Sequence, residues 1–392
     1  MPLVNEPTTN TRYYFISCDK RGNELEDHDG INNLLSKRIQ SDLILDNSIT
    51  DIFVLCHGWL VDQFEAKQVF NEWIKAFYEL HQYKIKSLNL KREFKPMIIA
   101  IHWPSRPMAQ SLSTDIANLK DQLADLINEI PDRLRRKGRS ALELAHDLLA
   151  ATTANKRKNH KPEDIISNVF YLTSFFRVKA QAEETGRLFV SSLLALLESN
   201  TKHKIHLVGH SFGVLVIATA LLELAQRKSK ITFSTFYCVQ GAISLWSFCK
   251  ELPAKNFQSG KYKNLLELHS IRYLITTVSK RDKALDWAYP IVMKVFDQDR
   301  IRVSSVYPAY GALGAYGVRG YEILGIDIKM LPIDGDYQLQ KDIVYNLASE
   351  AFIKGDTSTG AGAHNDISKQ EVANALWQAV FCDDKRDNCA QI

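Results

Sequence analysis

The sequence predicts an α/β protein with a mainly parallel central sheet, helices on both faces and one helical insertion. Three observations lead there. Short, apolar, β-branched runs alternate with helical patterns along most of the chain, the rhythm of strands joined by crossover helices. A long apolar run from Ile205 to Leu224 is broken by Gly209, His210, Ser211 and Gly213, so it reads as strand, tight turn and helix and not as a membrane span. From Arg106 to about Arg177 no good strand occurs.

An early strand is expected over Arg12–Ser17. Asp51–Cys56 (DIFVLC) follows and ends at His57-Gly58; Pro96–His102 (PMIIAIH) ends at Trp103-Pro104-Ser105. His203–Val208, Ile231–Val239 and Ile271–Val278 continue the series, with Tyr321–Ile328 expected as the last strand. Within the insertion, Ile116, Leu119, Leu123, Leu126 and Ile130 fall at helical spacing before Pro131. Leu142, Ala145 and Leu149 suggest a second helix, and Ile166, Val169, Phe170 and Leu172 a third. A long helix, about Val178 to Leu197, then leads to the next strand. The expected organisation is a core of residues 1–105 and 178–392, with residues 106–177 as a helical cap or lid.

Composition narrows the function classes. The chain has 392 residues, 45% hydrophobic and 24% charged, like ordinary globular proteins. A net charge of +4 is too small for this length to imply nucleic acid as a partner. The 6 cysteines form no C-x-x-C pair, which leaves zinc-ribbon and thioredoxin readings without support; Cys56 and Cys238 sit inside apolar runs as buried small hydrophobes. Met1 to Arg12 is polar and lacks the apolar stretch of a signal peptide. The expectation is a reduced, cytoplasmic protein without a transmembrane segment.

The chemistry centres on Gly209-His210-Ser211-Phe212-Gly213, a G-x-S-x-G. Alone this pattern is modest evidence. Between an apolar strand and the buried helix opened by Val214 it describes a nucleophile elbow. Ser211 must take a strained backbone conformation to project its hydroxyl above the sheet. A Cβ at position 209 or 213 would collide with neighbouring backbone. The helix N-terminus behind the serine favours developing negative charge. The bland alternative is a Gly-bounded turn with an incidental serine.

Such a site needs a second backbone N–H from a loop after an earlier strand. His57-Gly58-Trp59 lies where that loop belongs, so the N–H groups of Trp59 and Phe212 are the candidate oxyanion donors. His57 is read as a structural residue orienting the loop. The acid and base should follow the serine in chain order. Asp282, after Ile271–Val278 in Ser279-Lys-Arg-Asp, is the candidate acid, with Asp297 and Asp299 in reserve; its alternative is a surface pair with Lys280 or Lys283. Only His269 and His364 lie downstream of the elbow's helix. His269 would emerge at the wrong end of the sheet. His364 stands on a Gly-rich loop ahead of the final helix, for which Ser368 and Glu371 suggest a capping box.

These motifs resemble the α/β-hydrolase superfamily. They are similar to its bacterial lipase- and esterase-like branch, with H-G-[FW], W-P-S, G-H-S-x-G, S-x-x-D and a late histidine. Here they read His57-Gly-Trp, Trp103-Pro-Ser, Gly209-His-Ser-Phe-Gly, Ser279-Lys-Arg-Asp and His364, covering about residues 50–105 and 180–380. The resemblance implies the α/β-hydrolase fold and hydrolysis of an ester, thioester or amide through an acyl-enzyme on Ser211, His364 and Asp282. The leading expectation is a carboxylic-ester hydrolase on a small-molecule or lipid acyl substrate. A serine peptidase or acyltransferase on the same triad is the runner-up, and a hydrolase-like protein whose cap recruits a partner is the reading from another class. No metal or organic cofactor is required.

Weaker signals remain. Trp246 and Phe248 are candidate walls of an acyl pocket, against ordinary core packing. Tyr307–Gly320 is a Gly- and Tyr-rich loop, either mobile beside the pocket or fixed. Arg133, Arg135, Arg136, Lys137 and Arg139 form a basic run, either a solvated loop or a contact for anionic lipid headgroups.

Overall fold

The computed structural model describes residues 3–26, 34–85, 93–106, 174–175, 177–198, 202–252, 259–268, 270–296, 306–320, 325–355 and 362–385. The helices expected inside the insertion, the basic run at 133–139, His269, Asp297 and Asp299 lie outside the described residues.

The architecture is α/β. The strands are β1 (Leu3–Asn5), β2 (Arg12–Ser17), β3 (Asp51–Cys56), β4 (Pro96–His102), β5 (Lys204–His210), β6 (Phe233–Val239), β7 (Ile271–Val278), β8 (Gly325–Lys329) and β9 (Ile343–Ala348). They form one 9-stranded sheet in the order β1-β2-β4-β3-β5-β6-β7-β9-β8. Only β1, paired with β2, is antiparallel. The expectation that Tyr321–Ile328 would be the last strand is corrected: β9 follows it in sequence and inserts between β7 and β8.

Helices cover both faces. Those used below are α1 (Leu35–Leu45), α2 (Gln63–Ile85), α3 (Ser191–Glu198), α4 (Phe212–Gln226), α5 (Tyr289–Phe296) and α6 (Gln370–Val380). The alternation along β3 shows how each face is filled. Ile52, Val54 and Cys56 join α1, α3 and α4 in one apolar layer. Phe53 and Leu55 join α2 and α6 in the other. Central strands buried on both faces are largely apolar; all six residues of β3 are buried, and its one charged residue, Asp51, bonds the His206 ring at 3.1 Å.

The expected helix from 178 to 197 is present, but it passes through a π-helical turn at Gly186–Val190 before α3. That turn packs on α4 so closely that a Cβ on Gly186 would lie 2.3 Å from the carbonyl oxygen of Val216. Ser368 does not cap α6. Lys369 occupies the N-cap without a side-chain bond, and the Ser368 hydroxyl donates to Glu72 on α2 instead, at 2.9 Å. A reciprocal capping box is found at α2. Asp62 Oδ1 accepts from the N–H of Phe64 and Glu65, and Glu65 Oε2 accepts from Asp62 N–H, each at 2.9 Å. Among the described residues, no helix is long and apolar enough to cross a membrane.

Candidate active site

Every parallel strand ends its carboxyl side on one edge of the sheet, where open α/β sheets bind ligands. Ser211 sits there between β5 and α4. Its φ of 55° and ψ of −122° are the strain that the elbow demands. The turn is held by Ser211 N–H donating to Val239 O and Ala242 N–H donating to Ser211 O, both at 3.1 Å. A Cβ on Gly213 would lie 2.2 Å from Cys56 O, and one on Gly209 would lie 2.7 Å from Val214 N. The elbow therefore closes only with glycine at both places.

Three expected residues meet in one hydrogen-bonded chain. Ser211 Oγ lies 2.8 Å from His364 Nε2. His364 Nδ1 lies 2.7 Å from Asp282 Oδ2. Asp282 is fully buried and faces His364, so the surface pairing with Lys280 or Lys283 is not what is found. As Asp282 Oδ2 can only accept, Nδ1 carries the proton and Nε2 is left free to accept the Ser211 hydroxyl proton.

The loops bearing Asp282 and His364 are joined directly. Asp282 and Gly362 form a β-bridge, and Ala363 N–H donates to Arg281 O at 3.2 Å. Gly362 has φ 61°, and a Cβ there would lie 2.6 Å from Arg281 O. His210 holds the base loop from the other side. Its Nε2–H donates to the carbonyl of His364 at 2.9 Å. Its ring centroid lies 4.9 Å from that of His364. Burial, then the nearby His364 imidazole, drives the His210 pKa well below the ordinary histidine value, so it stays neutral.

His57 couples two of the recognised motifs. Trp103 N–H donates to His57 Nε2 at 3.2 Å and the Trp103 indole N–H donates to His57 O at 2.9 Å. The His57 proton therefore sits on Nδ1, which donates to Gly58 O at 2.8 Å. Burial, helped by His102, lowers its pKa to about 3, which suits a neutral clamp. Ser105 adds two more ties, accepting from Val61 N–H at 3.1 Å and donating to Val61 O at 3.0 Å. Arg106 then clamps Asp62 and Glu65, at 2.9 and 2.6 Å.

This clamp fixes Gly58 against Ser211. A Cβ on Gly58 would lie 2.7 Å from Ser211 Cβ. Phe212 N–H is the first of α4 and belongs to the set with no intrahelical acceptor. Trp59 and Phe212, the expected oxyanion donors, bring their rings to 6.1 Å. Phe175 and Tyr289 extend this aromatic cluster, at 4.9 Å from Phe212 and 5.6 Å from Phe175 respectively.

Trp246 and Phe248, the candidate pocket walls, are both engaged in internal packing. Trp246 is 3% exposed, packs with Leu245, Cys249 and Leu252, and donates its indole N–H to Ala309 O at 3.1 Å. Phe248 packs against Tyr262 in the main core. The Gly- and Tyr-rich loop explains this. Residues 309–319 bond along residues 241–245 through Leu245 N–H to Gly311 O, Leu313 N–H to Ile243 O and Arg319 N–H to Leu245 O. Its glycines serve close packing. An apolar cavity between α2, α6 and the sheet, lined by Phe53, Leu55, Trp73, Val208, Tyr237 and Leu376 among others, contains none of the triad side chains.

Sequence reasoning missed His210, Gln240 and Thr277. The Gln240 amide donates to Asp282 Oδ2 at 2.9 Å, and Thr277 bonds both ends of Gln240. The available signal was position alone: Gln240 directly follows β6, at the carboxyl edge beside the nucleophile strand.

No protein-family model matches the chain. A search of curated proteins finds no match either. The function must therefore be argued from these side chains.

Proposed function

We propose that this protein is a serine hydrolase of the α/β-hydrolase type that cleaves a carboxylic ester of an apolar acyl substrate through an acyl-enzyme. The observation that carries the reading is the continuous chain from Ser211 Oγ through His364 to the buried Asp282, at 2.8 and 2.7 Å. Its setting supports it: a positive-φ serine at a strand-to-helix turn, on the carboxyl edge of a mainly parallel sheet.

In the proposed reaction, His364 Nε2 takes the Ser211 proton as Oγ attacks the acyl carbonyl carbon. The carbonyl π pair moves to oxygen, and the N–H groups of Trp59 and Phe212 receive the oxyanion. Collapse expels the alcohol, which leaves with the proton held on Nε2. Water, deprotonated by the same nitrogen, then attacks the acyl-enzyme and releases the acid and free Ser211. Asp282 holds the imidazole in the required tautomer and stabilises its cationic form.

The test is activity and labelling together. The purified protein should hydrolyse p-nitrophenyl esters and be labelled by a fluorophosphonate probe, and Ser211→Ala should do neither. Labelling retained in Ser211→Ala would refute the assignment.

A further inference from the structure

The buried carboxylate of Asp282 has an unusual second partner. Its Oδ2 accepts from His364 Nδ1–H and also from the Gln240 side-chain amide, at 2.7 and 2.9 Å. Its Oδ1 accepts from Leu285 N–H at 3.0 Å. Among the described residues its one ionic partner is His364. A carboxylate with no exposure to water needs such donors to satisfy its lone pairs.

Gln240 has no freedom to turn away. It is fully buried and holds a left-handed φ of 44°. Its backbone N–H donates to Thr277 Oγ1 at 2.8 Å, so the Thr277 proton must go elsewhere. It goes to Gln240 Oε1, at 2.9 Å. With Oε1 thus engaged, Nε2 faces Asp282. The reversed amide would set an oxygen against a carboxylate oxygen and leave the Thr277 proton without an acceptor. Backbone, hydroxyl and amide together fix one orientation, built by adjacent strands β6 and β7.

We propose that Gln240, locked by Thr277, is a positioning residue that fixes Asp282 and moderates the basicity of His364. This inference rests on the serine hydrolase reading. The amide shares the oxygen that faces the imidazole, and its N–H dipole points positive charge at the pair. It therefore disfavours the imidazolium while keeping the carboxylate aimed. Without it Asp282 is a stronger but less well-placed acceptor. The pKa governing the acidic limb of kcat/KM should rise, while kcat falls and KM stays near its original value.

The experiment measures pH profiles of p-nitrophenyl ester hydrolysis for the wild type, Gln240→Met, Thr277→Val and Thr277→Ser. Active sites are counted by the fluorophosphonate probe and folding is checked by circular dichroism. Gln240→Met should lose about 10- to 100-fold in kcat per labelled site, with the acidic limb moved up by roughly half a pH unit or more. Thr277→Val, which removes the lock and retains Gln240, should move the limb the same way. Thr277→Ser keeps the hydroxyl and should retain the wild-type profile. If Gln240→Met fails to fold, the contrast between Thr277→Val and Thr277→Ser decides the matter. An unchanged limb in both Gln240→Met and Thr277→Val, or one moved equally in Thr277→Ser, would overturn the proposal. A wild type that neither hydrolyses nor labels would instead refute the underlying hydrolase reading.

Discussion

On the proposed hydrolase reading, a single carbon atom at position 58 would separate a working nucleophile from a blocked one. A Cβ on Gly58 would meet Ser211 Cβ at 2.7 Å, closer than two carbons tolerate. Gly58→Ala should fold and yet lose about 100-fold in kcat/KM, because displacing the nucleophile by about 1 Å costs that much; activity near wild type would show that the loop yields. Within the triad, Ser211→Ala and His364→Ala should each cost about a million-fold in kcat, and Asp282→Asn about ten thousand-fold. The same kinetic assay ranks them. An Asp282→Asn variant with wild-type turnover would remove it from the mechanism. Much of this site was legible at the residue scale. Chain order and strand ends named Ser211, Asp282 and His364, since each role demands a particular residue type at the carboxyl edge. Gln240 and His210 were not legible. Glutamine and histidine are common polar residues, and only the folded sheet reveals what their donors face.

At the scale of elements, the loops after β3 and β4 act as one piece. Ser105 is buried and is both donor and acceptor to Val61. Ser105→Ala would leave the partly buried N–H and carbonyl of Val61 without that partner, a loss of about 1 kcal/mol. Urea unfolding should show a reduced midpoint with unchanged slope. A midpoint equal to wild type would mean that water replaces the hydroxyl. Four strands were readable from the sequence, with β2, β3, β4 and β7 found over the expected residues. Two strands were missed for different reasons. At three residues, β1 is too short to show an alternation. In β9, Asn346 interrupts the apolar run, yet it is buried and satisfied: Oδ1 accepts from Val318 N–H at 2.8 Å, and Nδ2 donates to Asp327 at 2.8 Å. A polar residue inside a strand is costly unless such partners exist, and partners at that distance along the chain leave no local trace. Ser368 failed as a cap for a similar reason, since a carboxylate on another helix outcompetes the local N–H.

Across the whole molecule, two neutral imidazoles at the carboxyl edge link stability to pH. Unfolded, each takes up a proton as the pH falls through about 6.5. Folded, burial keeps His57 neutral down to about 3 and depresses His210 strongly as well. Below 6.5 the unfolded chain therefore binds more protons than the native one, and stability falls with pH. Their contribution is present above 6.5 and is lost as pH drops, for His57 over the interval from 6.5 to about 3. Between pH 7.5 and 5 His57 should remove about 2 kcal/mol from the unfolding free energy, and His210 acts in the same direction. Urea titrations at the two pH values measure it; equal stability at both would contradict neutral burial.

The position of β9 sets an order of events during synthesis. Among the described strands it is the last made, yet it lies between β7 and β8 and supplies a parallel neighbour to both. A ribosome that has not passed Ala348 holds a sheet whose β7 presents an open edge of backbone N–H and C=O groups, next to the loop carrying Asp282. Open edges invite pairing with other chains, and nascent chains fold from the amino end as they emerge. His364 follows β9 in the chain, so the proposed nucleophile and acid, Ser211 and Asp282, are made before the proposed base. The sheet is thus most exposed to wrong pairing until β9 is translated. A chain stopped after Met330 should be insoluble where the full chain is not, and co-expressing the missing segment 331–392 should restore soluble, probe-reactive protein only if β9 can still enter the gap.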